Sequence, residues 1–208
     1  MIIKANIANF EEAKNLVDKS KDKFGKVDIL VNNAGVSQRS FTLDTPLEID
    51  RKIMEVNFFG TVALTKAVLP IMVKRKSGHI VVISSISGKF GFYLRSAYSA
   101  SKHALHGFFE SLRMEVYKDN IKVLIVCPGK IRTTLSLHAL KADGSAHNLM
   151  DNSIDAGMAP EICAERILKG ILAEEEEIFI GGKEIRSVWI KRLFPKMFSR
   201  LIRKQKIE

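Results

Sequence analysis

Four short apolar runs, separated by longer segments with helical periodicity, restrict the fold of this chain more than any other feature. The runs occupy residues 27–31, 79–83, 122–126 and 177–180. Each is too short for a helix, and apolar runs bounded by glycine, asparagine or proline are typical of buried strands. Alternating strands and helices predict an α/β fold with a doubly wound parallel sheet and right-handed crossovers.

The intervening segments predict the helices. Asn9 is placed to cap a helix over residues 10–24, where apolar residues recur at helical spacing until a glycine follows. Thr45-Pro46 is predicted to open a helical segment that continues as a long helix over residues 57–76, and a further helix carries Tyr98. The first five residues, MIIKA, predict one more strand.

A long polar segment lies between the third run and the last helix. Residues 134–156 are polar and contain glycine, which is typical of a mobile lid over a substrate site. His138 and His147 lie in this segment without the spacing of metal ligands. The sequence therefore predicts no metal site.

Composition restricts the class of protein. With 208 residues, 46% of them hydrophobic and 27% charged, the chain is expected to form a single globular domain. Its two cysteines, Cys127 and Cys163, are too few for a disulfide framework and indicate a reducing compartment, so we expect a cytoplasmic protein. No run of about eighteen apolar residues occurs and no signal peptide is recognised, so no segment is expected to span a membrane.

Positive charge is concentrated at the carboxyl end. Residues 183–208 contain nine Lys or Arg and two Glu, so the remainder of the chain is nearly neutral although the net charge is +10. Five apolar residues of this tail recur at every fourth position: Ile185, Trp189, Leu193, Met197 and Leu201. They predict a basic amphipathic helix, kinked or restarted at Pro195. Such a helix suits a membrane surface, a cover over a substrate pocket, or a solubilising end.

Tyr98 and Lys102 carry the strongest chemical signal. Residues four apart on a helix share one face, and a neighbouring ammonium favours the phenolate, which lowers the pKa of a tyrosine. The preceding apolar run ends in Ser84-Ser85, which delivers a hydroxyl to the carboxyl edge of the sheet, where ligands of α/β proteins bind. Because side chains alternate along a strand, Ser84 and Ser85 are expected to face opposite sides.

These residues belong to a larger ordered set. Ser85, Tyr98 and Lys102, with the segment Asn32-Asn33-Ala34-Gly35, Asn57 and Pro128-Gly129, resemble the short-chain dehydrogenase/reductase family. The resemblance covers about residues 2–182 and is closest to the dehydrogenase/reductase member 7-like branch. It implies a Rossmann-like domain over residues 1–182, with residues 183–208 as a basic amphipathic tail.

The resemblance implies roles for four residues. Tyr98 donates the proton in carbonyl reduction and accepts it in alcohol oxidation, while Ser85 donates a hydrogen bond to the substrate oxygen. Lys102 lowers the pKa of Tyr98 and binds the nicotinamide ribose. Asn57 orders a water molecule that relays protons to Lys102. Asn57 also precedes a long predicted helix, so a helix cap is an alternative explanation for it.

The resemblance also implies NAD(P) as the cofactor, with NADP slightly favoured. Contacts to it are expected from Tyr98, Lys102 and residues near strand ends: Asn6, Ile7, Asn32, Asn33, Ala34, Gly35, Pro128, Gly129, Ile131 and Thr133. The Ile131 backbone and the Thr133 hydroxyl would bind the nicotinamide carboxamide. Residues 32–35 are equally well explained as a tight turn.

One feature of the family has no counterpart in this sequence. Family members begin with a strand, a glycine-rich turn that binds the pyrophosphate, and a second strand that selects the ribose. Asn6-Ile7 instead matches a position after the third strand, so the first strand-helix-strand-helix unit is expected to be missing. The strand at residues 1–5 would then pair with residues 27–31 or fray, unless the natural product is longer. Without the glycine-rich turn, the affinity of the chain for a dinucleotide would be lower.

Two functions are compatible with these features. One is an oxidoreductase that transfers a hydride between NAD(P) and a small-molecule carbonyl or secondary alcohol of lipophilic character. The other is a catalytically impaired relative that acts as a binding or scaffold protein, because the phosphate loop is missing.

The expected partners follow from the same observations. A homo-oligomer, either a dimer or a tetramer, is expected through the helices at residues 57–76 and 98–117. The tail offers attachment to a membrane surface, which would make a cytoplasmic protein peripheral to a membrane. Nucleic-acid binding is not expected, because the basic tail contains no recognisable binding motif.

Overall fold

Four parallel strands form the sheet of the computed structural model, which describes residues 1–204. In sheet order they are β1 (Ile29–Asn32), β2 (Gly78–Ile83), β3 (Ile121–Pro128) and β4 (Glu177–Ile180). The register pairs Asn32 with Val82 and Ile83 with Val126, so neighbouring strands end at the same edge. The predicted Rossmann-like parallel sheet is confirmed.

Eight α-helices accompany the strands within the described residues. They are α1 (Phe10–Phe24), α2 (Leu47–Met54), α3 (Thr61–Arg75), α4 (Ser96–Glu115), α5 (Asn152–Asp155), α6 (Pro160–Leu172), α7 (Arg186–Leu193) and α8 (Pro195–Ile202). A π-helical turn, Glu55–Gly60, joins α2 to α3 without a break. Short 3₁₀ turns occur at Ile86–Gly88, Tyr117–Asp119 and Lys183–Ile185.

The residues predicted to cap and to end α1 do so in the structure. Asn9 Oδ1 accepts hydrogen bonds from the backbone amides of Glu11 at 3.0 Å and Glu12 at 3.2 Å. Gly25 ends the helix in the left-handed region with φ 74°, which glycine adopts without steric cost. In the tail, the helix stops before Pro195 and restarts there, as the sequence predicts.

One prediction about an element is wrong. Residues 1–6 form no strand, and Met1 and Ile2 are exposed. Ile7 instead packs closely against Gly60. The helical segment expected to open at Thr45-Pro46 begins at Leu47 and continues through the π-helical turn into α3, so the helix-cap alternative for Asn57 is excluded.

The two faces of the sheet are covered unequally. On one face α1, α3 and α4 enclose a core that includes Val68, Ile80 and Phe109. On the other face α6 covers Val81 and Leu124 of the central strands. The side chains of Ile29 and Val31 on β1 remain 45% and 48% exposed. Within the described residues β1 is therefore an edge strand that no other element covers. Proteins ordinarily protect such edge strands.

The merged helix from Leu47 to Arg75 is long and apolar enough to cross a membrane, judged by length and composition alone. Core helices of soluble proteins meet the same criterion. Here Ile53, Val68 and Met72 are buried against the protein interior, and 39% of the most apolar eighteen-residue window of the helix is buried.

Candidate active site

The candidate site lies where β2 and β3 end. Ser85 follows β2, and its hydroxyl accepts a hydrogen bond from the Ser87 amide at 3.1 Å. Ser84 faces the other way: its hydroxyl contacts His106 Nε2 at 3.0 Å. The predicted opposite orientation of the two serines is therefore confirmed. Ser85 alone of the pair directs its hydroxyl toward the phenol of Tyr98, with which it forms a hydrogen bond.

Tyr98 lies in the first turn of α4 and is 5% exposed. Burial raises the pKa of Tyr98, and the positive charge of Arg95 and the hydrogen bond with Ser85 only partly offset that effect. The expected lowering of this pKa by Lys102 stays a prediction, because Lys102 is not among the groups that shift the pKa of Tyr98 in this structure. The ammonium of Lys102 lies 5.8 Å from the centroid of the phenol ring. Because its pKa is raised, the phenol is protonated at neutral pH.

Lys102 is as deeply buried as Tyr98. Its Nζ donates a hydrogen bond of 2.7 Å to the carbonyl oxygen of Ile83, the last residue of β2. Burial lowers the pKa of Lys102 from 10.5 to about 8. An ammonium with such a pKa remains charged near neutrality and is an effective donor to a ligand hydroxyl.

Asn57 occupies the π-helical turn and is completely buried. Its Oδ1 accepts from the Val36 amide at 2.8 Å, while Nδ2 donates to the Val36 carbonyl and to Ser101 Oγ, both at 2.9 Å. Short π-helical segments inside helices are frequent at functional sites. Asn57 Oδ1 and Lys102 Nζ both lie within 4 Å of the point where a Cβ on Gly35 would stand.

A cavity of about 390 Å³ joins these groups. Nine of the residues predicted from the sequence line it: Asn33, Gly35, Ser85, Tyr98, Lys102, Pro128, Gly129, Ile131 and Thr133. Asn57 stands behind Gly35 rather than in the wall. Its volume lies within the range usual for ligand-binding pockets.

Four predicted cofactor residues do not reach this cavity. Asn32 is buried and its Nδ2 donates to Thr65 Oγ1 at 3.0 Å, which ties β1 to α3. Ala34 is exposed beside it. Asn6 makes local hydrogen bonds at the start of α1, where its amide donates to Glu12 Oε2 at 2.8 Å. Ile7 packs on Gly60.

Three further residues of the site escape prediction from the sequence. Ser37 lines the cavity and is buried, and its hydroxyl has no hydrogen-bond partner among the described residues. Arg95 lines the cavity too, with its guanidinium 6.0 Å from the ring centroid of Tyr98. Glu184 Oε1 accepts from the amides of Lys130 and Gly182 at 2.9 and 3.0 Å, and so holds the segment after β3.

A second cavity of about 480 Å³ adjoins the first and shares Ser85, Arg95 and Gly129 with it. Aromatic and aliphatic side chains dominate one wall: Phe90, Phe92, Ile190, Phe198, Leu201 and Ile202. Asp151 stands opposite, in ion pairs with Arg39 and Arg95. The last three apolar residues belong to α8, so the tail covers this cavity.

The family model of short chain dehydrogenases matches residues 1–143. The chain belongs to this family. It is 42% identical over 208 residues to the dehydrogenase/reductase SDR family protein 7-like of Drosophila melanogaster, covering 100% of this chain and 64% of the relative. It is 46% identical over 180 residues to family member 7B of Mus musculus, covering 86% and 56%. The chain thus spans less than two thirds of the length of these relatives.

Solved structures agree with the fold. A short-chain dehydrogenase from Streptomyces avermitilis matches with a TM-score of 0.79 and 30% identity, over 97% of this chain and 78% of its own. ElxO with NADPH bound matches with a TM-score of 0.63 and 33% identity, over 65% and 55%. A Burkholderia phymatum family member in complex with NAD has a TM-score of 0.82 at 20% identity, over 94% and 75%, which concerns the fold alone.

Replacing Lys102 by Met removes a buried ammonium and also the partner of the Ile83 carbonyl. The cost of burying the charge is expected to be the larger of the two effects, so the free energy of unfolding at pH 7 should rise. The pKa shift from 10.5 to about 8 corresponds to roughly 3 kcal/mol as an upper bound. Between these two pH values the folded wild type loses its proton while the unfolded chain keeps it, so wild-type stability rises with pH. The advantage of Lys102→Met should therefore shrink from pH 8 to pH 10.5.

Urea unfolding at several pH values measures this difference. Lys66→Met, at an exposed position of α3, is the matched control and should show no such pH-dependent gain. A Lys102→Met variant less stable than wild type at pH 7 would show that the ammonium stabilises the fold.

Proposed function

We propose that this chain is an NAD(P)-dependent oxidoreductase that transfers a hydride between nicotinamide and a carbonyl or secondary alcohol. The observation that carries the proposal is the arrangement of Ser85, Tyr98 and Lys102 around one cavity at the carboxyl edge of the sheet. Two hydroxyl groups can then meet one substrate oxygen while an ammonium lies beside them.

The residues that line this cavity fit the nicotinamide end of such a cofactor. Asn33, Gly35, Ile131 and Thr133 line the same cavity as Lys102. The unpartnered hydroxyl of Ser37 is a buried polar atom that a ligand can satisfy. Structural neighbours that contain NAD or NADPH support a nicotinamide cofactor in general, and we retain NADP as slightly favoured. When bound, the cofactor supplies or accepts the hydride.

Side chains of the protein would donate and return the proton. Because burial keeps Tyr98 protonated near neutrality, its phenol is ready to donate a proton to the oxygen of a carbonyl substrate. Ser85 would donate a hydrogen bond to the same oxygen. Lys102, fixed by the Ile83 carbonyl, would hold the ribose, and a water between Asn57 and Lys102 would return the proton. The closeness of both atoms to Gly35 supports that relay.

The second cavity supports a lipophilic substrate. Its wall of Phe90, Phe92 and Phe198 adjoins Ser85 and therefore lies beside the reacting oxygen. Apolar walls with few polar groups are typical of sites for small lipophilic ligands. The segment 134–156 lies near both cavities through Ser136 and Ile154, and we propose that it acts as the lid over them.

A binding or scaffold role is the second candidate. The uncovered edge strand β1, with Ile29 and Val31 half exposed, is the observation that favours it, because such an edge can pair with another polypeptide. Titration with NADPH and NADH separates the two functions, because a scaffold protein need not bind either.

We propose two further associations. Exposed Phe59 and Met114 support a homo-oligomer through the helical stretch 55–75 and α4. Residues 183–208 would form a tail that attaches to an anionic membrane surface. In its described part Trp189, Met197 and Leu201 are about half exposed beside exposed basic residues: Lys191, Arg192, Lys196, Arg200, Arg203 and Lys204.

Tyr98→Phe is expected to remove nearly all turnover while leaving cofactor binding unchanged, because it deletes only the proton-donating hydroxyl. Oxidation of NADPH with a panel of hydrophobic ketones and aldehydes measures turnover. Tyr117→Phe changes an exposed tyrosine outside both cavities and should have no effect. Retention of more than about a tenth of the activity, a loss below roughly 1.4 kcal/mol, would exclude Tyr98 as the acid.

Phe59→Glu is expected to shift a dimer or tetramer toward monomer, since it places a charge in an apolar interface. Sedimentation velocity over a range of concentrations follows the change. Phe24→Glu alters an exposed phenylalanine of α1 and serves as the control. A wild-type chain that is monomeric at all concentrations would contradict the oligomer.

The double variant Lys196→Glu/Arg200→Glu is expected to bind vesicles containing phosphatidylserine at least about tenfold more weakly, because each basic residue near an anionic surface contributes about 1 kcal/mol. Cosedimentation measures the binding. Lys19→Glu/Lys23→Glu on α1 makes the same change in net charge elsewhere and should bind as wild type does. Equal binding to neutral phosphatidylcholine vesicles would show that the tail charges are not involved.

A further inference from the structure

A polar cluster lies beneath the catalytic residues and takes no part in the proposed reaction. Tyr98 and Lys102 continue along one face of α4, at the same spacing of four, to His106 and Glu110. His106 is 7% exposed, and Cys127 of β3 is fully buried. Glu177 opens β4 beside them. Three elements distant in sequence thus bring an imidazole, a thiol and a carboxylate together.

Hydrogen bonding orients the imidazole. Ser84 Oγ donates to the Lys102 carbonyl at 3.3 Å and lies 3.0 Å from His106 Nε2, which also lies 3.7 Å from Cys127 Sγ. Because the Ser84 proton is used by the carbonyl, the geometry favours the tautomer with the proton on Nε2. In that tautomer the lone pair of Nδ1 faces the other side. There Glu177 Oε1 lies at 3.4 Å and Glu110 Oε1 at 3.7 Å. Nδ1 is buried and forms no well-directed hydrogen bond within the described chain.

A lone pair facing two carboxylates is satisfied by a proton or by a metal cation between them. Lys89 already brings one positive charge, with its Nζ 2.5 Å from Glu177 Oε1. The Glu177 carboxylate therefore already holds one cation at the edge of the cluster.

We propose that His106, Cys127 and Glu177 form a binding site for a thiophilic divalent cation, with Zn²⁺ as the best match. Nitrogen, sulfur and oxygen ligands around a tetrahedral zinc ion stand about 3.3–3.8 Å from one another. Here Cys127 Sγ lies 3.8 Å from Glu177 Oε1, which lies 3.4 Å from His106 Nδ1, and all three ligand groups lie within 4.8 Å of one another. Ser84 serves as the outer partner that orients the histidine.

The structure also indicates the side from which an ion enters the site and the group with which it competes. Glu177 is 31% exposed and Lys89 22% exposed, so an ion enters from the Glu177 side and displaces Lys89. Because cysteine binds a metal ion as the thiolate, metal binding must release the proton of the Cys127 thiol, and affinity should rise with pH.

Titration of the full chain with Co²⁺ and Zn²⁺ tests the site. One equivalent of Co²⁺ is expected to produce a thiolate-to-cobalt charge-transfer band that Zn²⁺ abolishes. Cys127→Ala and His106→Ala should each weaken binding at least about 10- to 100-fold, the cost usual even for outer-sphere partners. Cys163→Ala and His103→Ala, at the other cysteine and a neighbouring histidine of α4, are the matched controls.

A variant that binds Co²⁺ more tightly than wild type tests the site directly, because misfolding cannot explain a gain in metal affinity. Lys89→Gln removes the competing ammonium from a partly exposed position, so it should bind Co²⁺ more tightly than wild type, whereas Lys130→Gln should not. Absence of the charge-transfer band at saturating Co²⁺ would overturn the proposal. So would a band that persists in Cys127→Ala, or Co²⁺ affinity that Lys89→Gln leaves unchanged.

Discussion

The rest of the site depends on one buried interaction, the hydrogen bond from Lys102 Nζ to the carbonyl of Ile83. The last carbonyl of β2 and an ammonium inside the protein would each be costly without a partner, and each satisfies the other. The bond fixes α4 against the end of β2. Since Tyr98 precedes Lys102 by one turn, the same contact places the phenol beside Ser85. The geometry of the candidate site thus follows from the need to satisfy two buried polar groups.

Much of this arrangement could be predicted because it rests on local patterns. The four strands, the capping of α1 by Asn9 and the shared face of Tyr98 and Lys102 follow from period, turn chemistry and helical spacing. The opposite directions of Ser84 and Ser85 follow from strand alternation alone. Family membership follows from the ordered set of residues, since chance does not reproduce their order and spacing together.

Other features depend on contacts that a linear pattern does not encode. The pKa of Tyr98 rises because the effect of burial exceeds those of Arg95, 6.0 Å from the ring centroid, and of the Ser85 hydrogen bond. A four-residue motif does not show how deeply its tyrosine will be buried. Asn57 is a case of a misleading local signal: an asparagine before a long apolar run suggests a cap, yet a π-helical turn carries the helix through it. Residues 1–6 have the composition of a strand but find no neighbouring strand among the described residues.

Glu184 shows how distant residues complete a loop that the sequence assigns to the site. A Cβ on Gly129, which follows β3, would stand 2.3 Å from Glu184 Oε1, so a larger residue there would force the Glu184 side chain to move. The same carboxylate accepts the Lys130 amide and lines the second cavity. The segment that leads to Ile131 and Thr133 is therefore positioned from the start of the tail. Because α7 follows Glu184 directly, a shift of the tail helices would act on both cavities through this one carboxylate.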